Sequence, residues 1–190
     1  MDNQIFQRNL SEHIDLSQKL YSLQKSVVSA SRVIVSALLS GNTVFFCGNG
    51  GSATDAQHMA AELSGRYLKE REPLNAFALH TNSSALTAIA NDYGFGEVYA
   101  RQLQAHAKRG DVLVAISTSG DSENIVRAAE KGRSRGMYII ALTGETGGIL
   151  AKYCDILLAV PSNFTPRIQE MHILIGHILC EMIESNFEGI

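Results

Sequence analysis

Between Cys47 and Tyr67 the chain reads CGNGGSATDAQHMAAELSGRY, which combines side chains able to move protons or bind a metal with a turn able to hold an anion. His58 and Glu62 are four residues apart. On a helix that spacing puts both on one face with Cβ atoms about 6 Å apart, close enough to share a ligand. Glu62 is also a carboxylate that can serve as a base. Asn49, Gly50, Gly51 and Ser52 follow the apolar run Thr43 to Cys47, so a buried strand feeds a tight turn whose backbone N–H groups can face an anion. A helix is expected to start near Ser52. Taken alone, the glycines also fit a plain turn, and His58 with Glu62 a solvated pair. The combination makes an enzyme the leading expectation.

A second anion-type loop is Ser117-Thr118-Ser119-Gly120-Asp121-Ser122. Four hydroxyls and a glycine at a helix start can surround a phosphate with neutral donors and the positive end of the helix dipole, with no lysine needed. N-capping by Ser119 or Ser122 is the alternative, but capping needs one such residue where four are present. Asp121 is expected to point away from the anion. A third cluster begins at Thr165, expected as an N-cap with Pro166 at the first helical position. Gln169, His172 and His177 follow. His172, on so apolar a helix, reads as a structural histidine. Gln169 and His177 are separated by roughly 12 Å along a helix axis and about 80° around it. They reach one metal only if their side chains lean together or if separate subunits supply them.

The elements that must carry these groups are apolar runs alternating with helical stretches. The runs are Thr43 to Cys47, Asn75 to Leu79, Asp111 to Ile116, Met137 to Leu142 and Asp155 to Val160. Their unbroken hydrophobicity suits a parallel sheet covered on both faces, and the intervening segments are long enough for helical crossovers. A three-layer α/β sandwich is predicted. Two helical stretches precede the first strand, and a long one from Thr165 to about Phe187 follows the last. No linker or repeat divides the chain, so residues 1–190 read as one domain, with a helical extension 1–41 on an α/β core 42–190 that includes the C-terminal helix. If the strand order is 2-1-3-4-5, strands one and three straddle the switch point and the Asn49 and Ser117 loops face one crevice.

Composition narrows the function classes. Apolar residues make up 45% and charged residues 18%, which argues against disorder. A net charge of −3 offers no basic surface for nucleic acid, and the dense charge run Arg66 to Glu72 mixes signs and reads as a solvated helix end or loop. Cys47, Cys154 and Cys180 are odd in number, far apart and set in apolar runs, as buried reduced thiols are. The polar N-terminus has no signal-like apolar segment and no run is long enough to cross a bilayer. A cytoplasmic protein without membrane or nucleic-acid partners is expected.

Taken in order, CGNGGS with D-A-x-H-x-A-x-E-L-x-G-R-Y, then A-N-D-Y-G-F, I-S-T-S-G-x-S and R-I-Q-E-x-H-I-x-x-x-H resemble the bacterial phosphoheptose isomerases of the sugar-isomerase (SIS) domain superfamily, nearly end to end. The resemblance implies a five-stranded parallel sheet of order 2-1-3-4-5 and a cytoplasmic homotetramer with active sites at subunit contacts. It implies one zinc per subunit on His58, Glu62, Gln169 and His177. Glutamine is an uncommon zinc ligand. Substrate contacts fall on Asn49, Gly50, Gly51, Glu62, Asn91, Asp92, Ser117, Thr118, Ser119, Ser122 and Gln169, with Arg66 a weaker candidate. Pro166 departs from members that carry an acid there. The implied reaction is aldose–ketose isomerisation of sedoheptulose 7-phosphate through an enediol, feeding nucleotide-activated heptose for lipopolysaccharide or other surface glycans. Glu62 then takes the carbon proton and His177 is its acid–base partner. The rival is a related tetrameric scaffold that binds the replication initiator and lacks the groups matching Glu62 and His177. A sugar-phosphate-sensing regulator would need a DNA-binding module for which no spare length is visible.

Overall fold

Strands covered on both sides have no solvent face, so every residue of Val44–Cys47 and Val112–Ile116 is buried. The computed structural model describes residues 1–187. It shows β1 (Val44–Cys47), β2 (Ala76–Ala78), β3 (Val112–Ile116), β4 (Tyr138–Thr143) and β5 (Ile156–Ala159) as one sheet of order β2-β1-β3-β4-β5. All pairings are parallel. The expected sheet order is therefore found. Cys47 lies opposite Ala115, so β1 and β3 end side by side and release their loops at the same sheet edge.

Alternate strand residues divide the core in two. Val44, Phe46, Val112, Val114, Ile140 and Leu142 pack on one face with α1 (Asp2–Lys19), α2 (Gln24–Leu39), α3 (Gly51–Ser64) and α7 (Thr165–Glu184). Phe45, Cys47, Leu113, Ala115, Ile139 and Ala141 pack on the other face with α5 (Ala100–His106) and α6 (Glu123–Ser134), and α4 (Ser83–Tyr93) contributes the half-buried Leu86 and Ile89. Two helices thus precede β1, as expected.

Four expectations are corrected. The connection from β4 to β5 forms only a 3-10 turn, Ile149–Lys152, because Gly144, Gly147 and Gly148 weaken any longer helix there. Thr165 is the first residue of α7 and not its cap: Phe164 holds the cap position without a side-chain bond. The helix ends at Glu184, short of Phe187, and the last three positions of the expected core lie outside the described residues. The charge run is only partly solvated, since Arg71 is buried against Glu184. Of the three free thiols, Cys154 is half-buried, while burial pushes Cys47 and Cys180 up to about 12.

His172 is the structural histidine its helix suggests. It is fully buried, and its Nε2 lies 3.1 Å from the Thr143 carbonyl at the end of β4. Its Nδ1 has no hydrogen-bond partner among the described residues. Burial pushes its pKa down to about 4, the Thr143 bond opposing this only in part. The unfolded chain therefore binds a proton near pH 6.5 that the fold does not accept until about pH 4. Stability from this group is complete above pH 6.5 and should fall by about 3 kcal/mol on acidification to pH 4. His172→Gln keeps a donor for Thr143 but cannot titrate, so urea unfolding across that window should show a shallower pH slope than wild type. Equal slopes would refute this.

Candidate functional site

The loop after β1 is held from below and from the side. Buried Tyr99 donates its hydroxyl to the Gly48 carbonyl at 2.6 Å. Asn49 and Asn124 exchange reciprocal amide bonds of 2.8 Å each. Asn124 stands in the first turn of α6, so this pair bolts the Asn49 loop to the Ser117 loop. Asn49, expected at the substrate, is thus bonded to Asn124, which no motif marks; an asparagine just past a hydroxyl-rich turn is the signal for it.

In the second loop the Ser117 hydroxyl donates to Ser122 Oγ at 3.1 Å and lies 3.5 Å from Ser119 Oγ. Ser117 Oγ accepts the Gly120 N–H, and Ser119 Oγ accepts the Asp121 N–H. Ser122 occupies the cap position of α6 without making a side-chain cap bond, so capping is not what the hydroxyls do. No side chain caps α3 either. Both helix starts keep backbone donors for an anion. Asp121, expected to point away from an anion, accepts the Ile149 N–H on its Oδ1 at 2.8 Å but still lines the cavity beside this loop. A polar cavity of about 260 Å³ borders this loop, lined by Thr118, Ser119, Glu145, Asn163 and Thr165. A larger one of about 420 Å³ lies between the N-terminal helices and α7, but its lining offers no carboxylate or imidazole for chemistry.

The acid–base groups come from α3 and α7. His58 Nε2 lies 3.0 Å from Glu62 Oε1. The His177 ring meets His58 edge to face, with centroids 5.1 Å apart, and stacks on Tyr67 at 5.7 Å. Gln169 lies two helical turns before His177, against the glycine turn: a Cβ on Gly51 would come within 2.7 Å of its Nε2. One chain therefore brings His58, Glu62 and His177 together and sets Gln169 at the anion end. Asp55, also missed, stands three residues before His58 on the same face. Its Oδ2 is buried without a hydrogen-bond partner among the described residues. Burial raises its carboxyl pKa, and the charges of His58 and His177 oppose the rise. The aspartate of D-A-x-H was the signal.

Other expected residues stand apart. Asn91 bonds to Asp92 at 2.8 Å at the exposed end of α4, and among the described residues no hydrogen bond links either to the two loops. Arg66 is exposed and lies 3.8 Å from Glu70. Among the described residues no set of three or more His, Cys, Asp or Glu side chains converges on one point. His58 and Glu62 instead bond to each other.

A sequence model of the SIS domain family matches residues 10–144. A phosphoheptose isomerase of Rhodospirillum rubrum is 55% identical over 159 residues, 84% of this chain and 85% of the relative. One from a Nitratiruptor species is 51% identical over 182 residues, 95% and 97% of the two chains. The chain belongs to the phosphoheptose isomerase family. It is therefore an isomerase. The solved phosphoheptose isomerase of Neisseria gonorrhoeae superposes with a TM-score of 0.92 at 43% identity, covering 97% of this chain and 100% of that one. The Francisella tularensis phosphoheptose isomerase gives 0.95 at 38%, covering 97% and 99%. These full-length matches agree with the enzyme reading.

The amide pair between the loops is testable in this family member. Asn124→Ala leaves the Asn49 amide without its partner and should cost about 1–3 kcal/mol. A lowered denaturant midpoint with a raised KM for sugar phosphate is expected. An unchanged midpoint would show that the two loops hold their places without the pair.

Proposed function

We propose that this isomerase converts sedoheptulose 7-phosphate to D-glycero-D-manno-heptose 7-phosphate through an enediol. The observation that carries the reading is the cluster of Glu62, His58 and His177 on α3 and α7, two helices that start at the sheet edge where the Asn49 and Ser117 loops emerge. Along α3 Glu62 lies about 16 Å from Gly51, so the acid–base groups and the anion loops would meet across a subunit contact. Glu62 takes a proton from C1 of the ketose while the C2 oxygen gains one from His177, giving the 1,2-enediol. His177 then takes the O1 proton as Glu62 returns its own proton to C2, giving the aldose and restoring both groups. The hydroxyls of Ser117, Thr118, Ser119 and Ser122 hold the far phosphate, so binding energy remote from the reacting carbons orients them.

Assembly belongs to the same proposal. Phe6 and Tyr21 are 68% and 81% exposed, and no residue of α4 is fully buried within one chain. Such surfaces suit a homotetramer, which would also bring Asn91 and Asp92 to a neighbouring site. Among the described residues no helix is long and apolar enough to cross a membrane. A cytoplasmic setting and a destination of the heptose in lipopolysaccharide or another surface glycan complete the proposal.

A coupled assay with sedoheptulose 7-phosphate tests the chemistry. Glu62→Gln keeps the side-chain shape but cannot accept the carbon proton, so kcat should drop by at least about a hundredfold while the protein stays folded. Turnover near the wild-type rate would remove Glu62 from the reaction.

Zinc on His58, Glu62, Gln169 and His177 is the cofactor part of the proposal. It calls for the His58–Glu62 bond to open, because that bond now engages both groups. The proton transfers above rest on the chain's own residues. Metal analysis of purified protein should find about one zinc per chain, and much less in His177→Asn, which loses one of the four ligands. Zinc-free wild type with full turnover would remove the cofactor.

A further inference from the structure

Arg71 and Glu184 are almost completely buried, their side chains 1% and 3% exposed, with Arg71 Nε 3.4 Å from Glu184 Oε1. Burying such a pair carries a desolvation cost that apolar residues of similar size would avoid, so stability alone does not account for it. Its hydrogen bonds lead to the site. The Glu184 carboxylate, at the end of α7, accepts the backbone N–H groups of Tyr67, Leu68 and Lys69 at 2.9, 2.8 and 3.0 Å. Arg71 donates through Nη2 to the Glu62 carbonyl at 2.8 Å, and through Nη1 to the carbonyls of Gly65 and Glu72 at 3.1 and 3.0 Å.

The pair therefore ties the end of α7 to the last turn of α3 and to the loop behind it. That loop carries Tyr67, whose ring stacks on the His177 imidazole with 29° between planes. Burial pushes the Glu184 carboxyl pKa up, but the three N–H donors and Arg71 outweigh it and hold the group below the ordinary carboxylate value. It is ionised at neutral pH and keeps all three bonds.

We infer that Glu184 and Arg71 are positioning residues of the isomerase, acting through Tyr67 and the Glu62 backbone to fix how His177 and Glu62 face each other. The inference rests on the reading of Glu62 and His177 as the acid–base pair. Without the Tyr67 ring, His177 keeps the edge contact with His58 but loses the flat surface that limits its rotation. Small misplacements of reacting groups cost large factors in rate while leaving substrate affinity nearly intact.

Wild type, Tyr67→Leu, Tyr67→Phe and Glu184→Gln are compared in the coupled assay, with melting temperatures from the same preparations. Tyr67→Leu is expected to lower kcat by about ten- to a hundredfold with KM within about twofold of wild type, whereas Tyr67→Phe, which keeps the stacking ring, stays within about threefold in kcat. Glu184→Gln, where it folds, is expected to lose kcat in the same way. The Tyr67 variants decide the matter if it does not fold. Tyr67→Leu with wild-type kcat, Tyr67→Phe as slow as Tyr67→Leu, or a loss confined to KM or melting temperature would overturn the inference. Failure of the underlying reading looks different: Glu62→Gln and His177→Asn would both turn over normally. An inactive Glu62→Gln beside a fully active Tyr67→Leu would sink the positioning role alone.

Discussion

The close approach of α3 to α7 is the constraint on which the site depends. At Gly176 an added Cβ would lie 2.7 Å from Met59 Sδ, and at Gly51 equally near Gln169 Nε2. Small residues at these two points let the helices lie together along the length that separates the glycine turn from His177. Met59 is buried between His58 and the core, so seating it against Gly176 turns His58 toward His177. Neither helix holds a usable acid–base set by itself. The pairing creates one because each side chain meets its counterpart across a contact only a glycine wide.

Charge is used sparingly around this contact. The anion loop relies on hydroxyls and uncapped helix starts, which attract a phosphate without the strong, poorly directional field of a lysine. Such a cradle is weak unless its donors are held in place. The structure supplies that rigidity by bonding the hydroxyls to one another, by the Asn49–Asn124 amides and by the Gly144 N–H on the Thr118 carbonyl. The buried ionic pair lies instead behind the acid–base groups, where Glu184 holds three consecutive backbone N–H groups that no regular element could satisfy.

Behind the loop, His172 fastens α7 to the end of β4, and Gly144 next in the chain braces Thr118. A neutral histidine is needed there because burial excludes its charged form. Sheet, C-terminal helix and anion loop are thus connected through a few short polar contacts within an apolar frame. The same helix carries His172 for support and His177 for chemistry, and the two differ chiefly in what the fold places beside them.

Much of the molecule was legible in the chain. Unbroken apolar runs identify buried parallel strands, since a strand covered on both faces needs no polar alternation. The i,i+4 spacing of His58 and Glu62 suffices to put them on one face, and the ordered motifs suffice for the family. What required the fold was every contact between segments distant in sequence. Arg71 read as one more solvated charge because its partner lies 113 residues away at Glu184. Asn124 and Asp55 were passed over because an amide or a carboxylate near a motif has no meaning until its neighbour is known. Local spacing determines which face of a helix a side chain occupies. Only packing decides what that face meets, and burial and pairing of charges follow from that meeting.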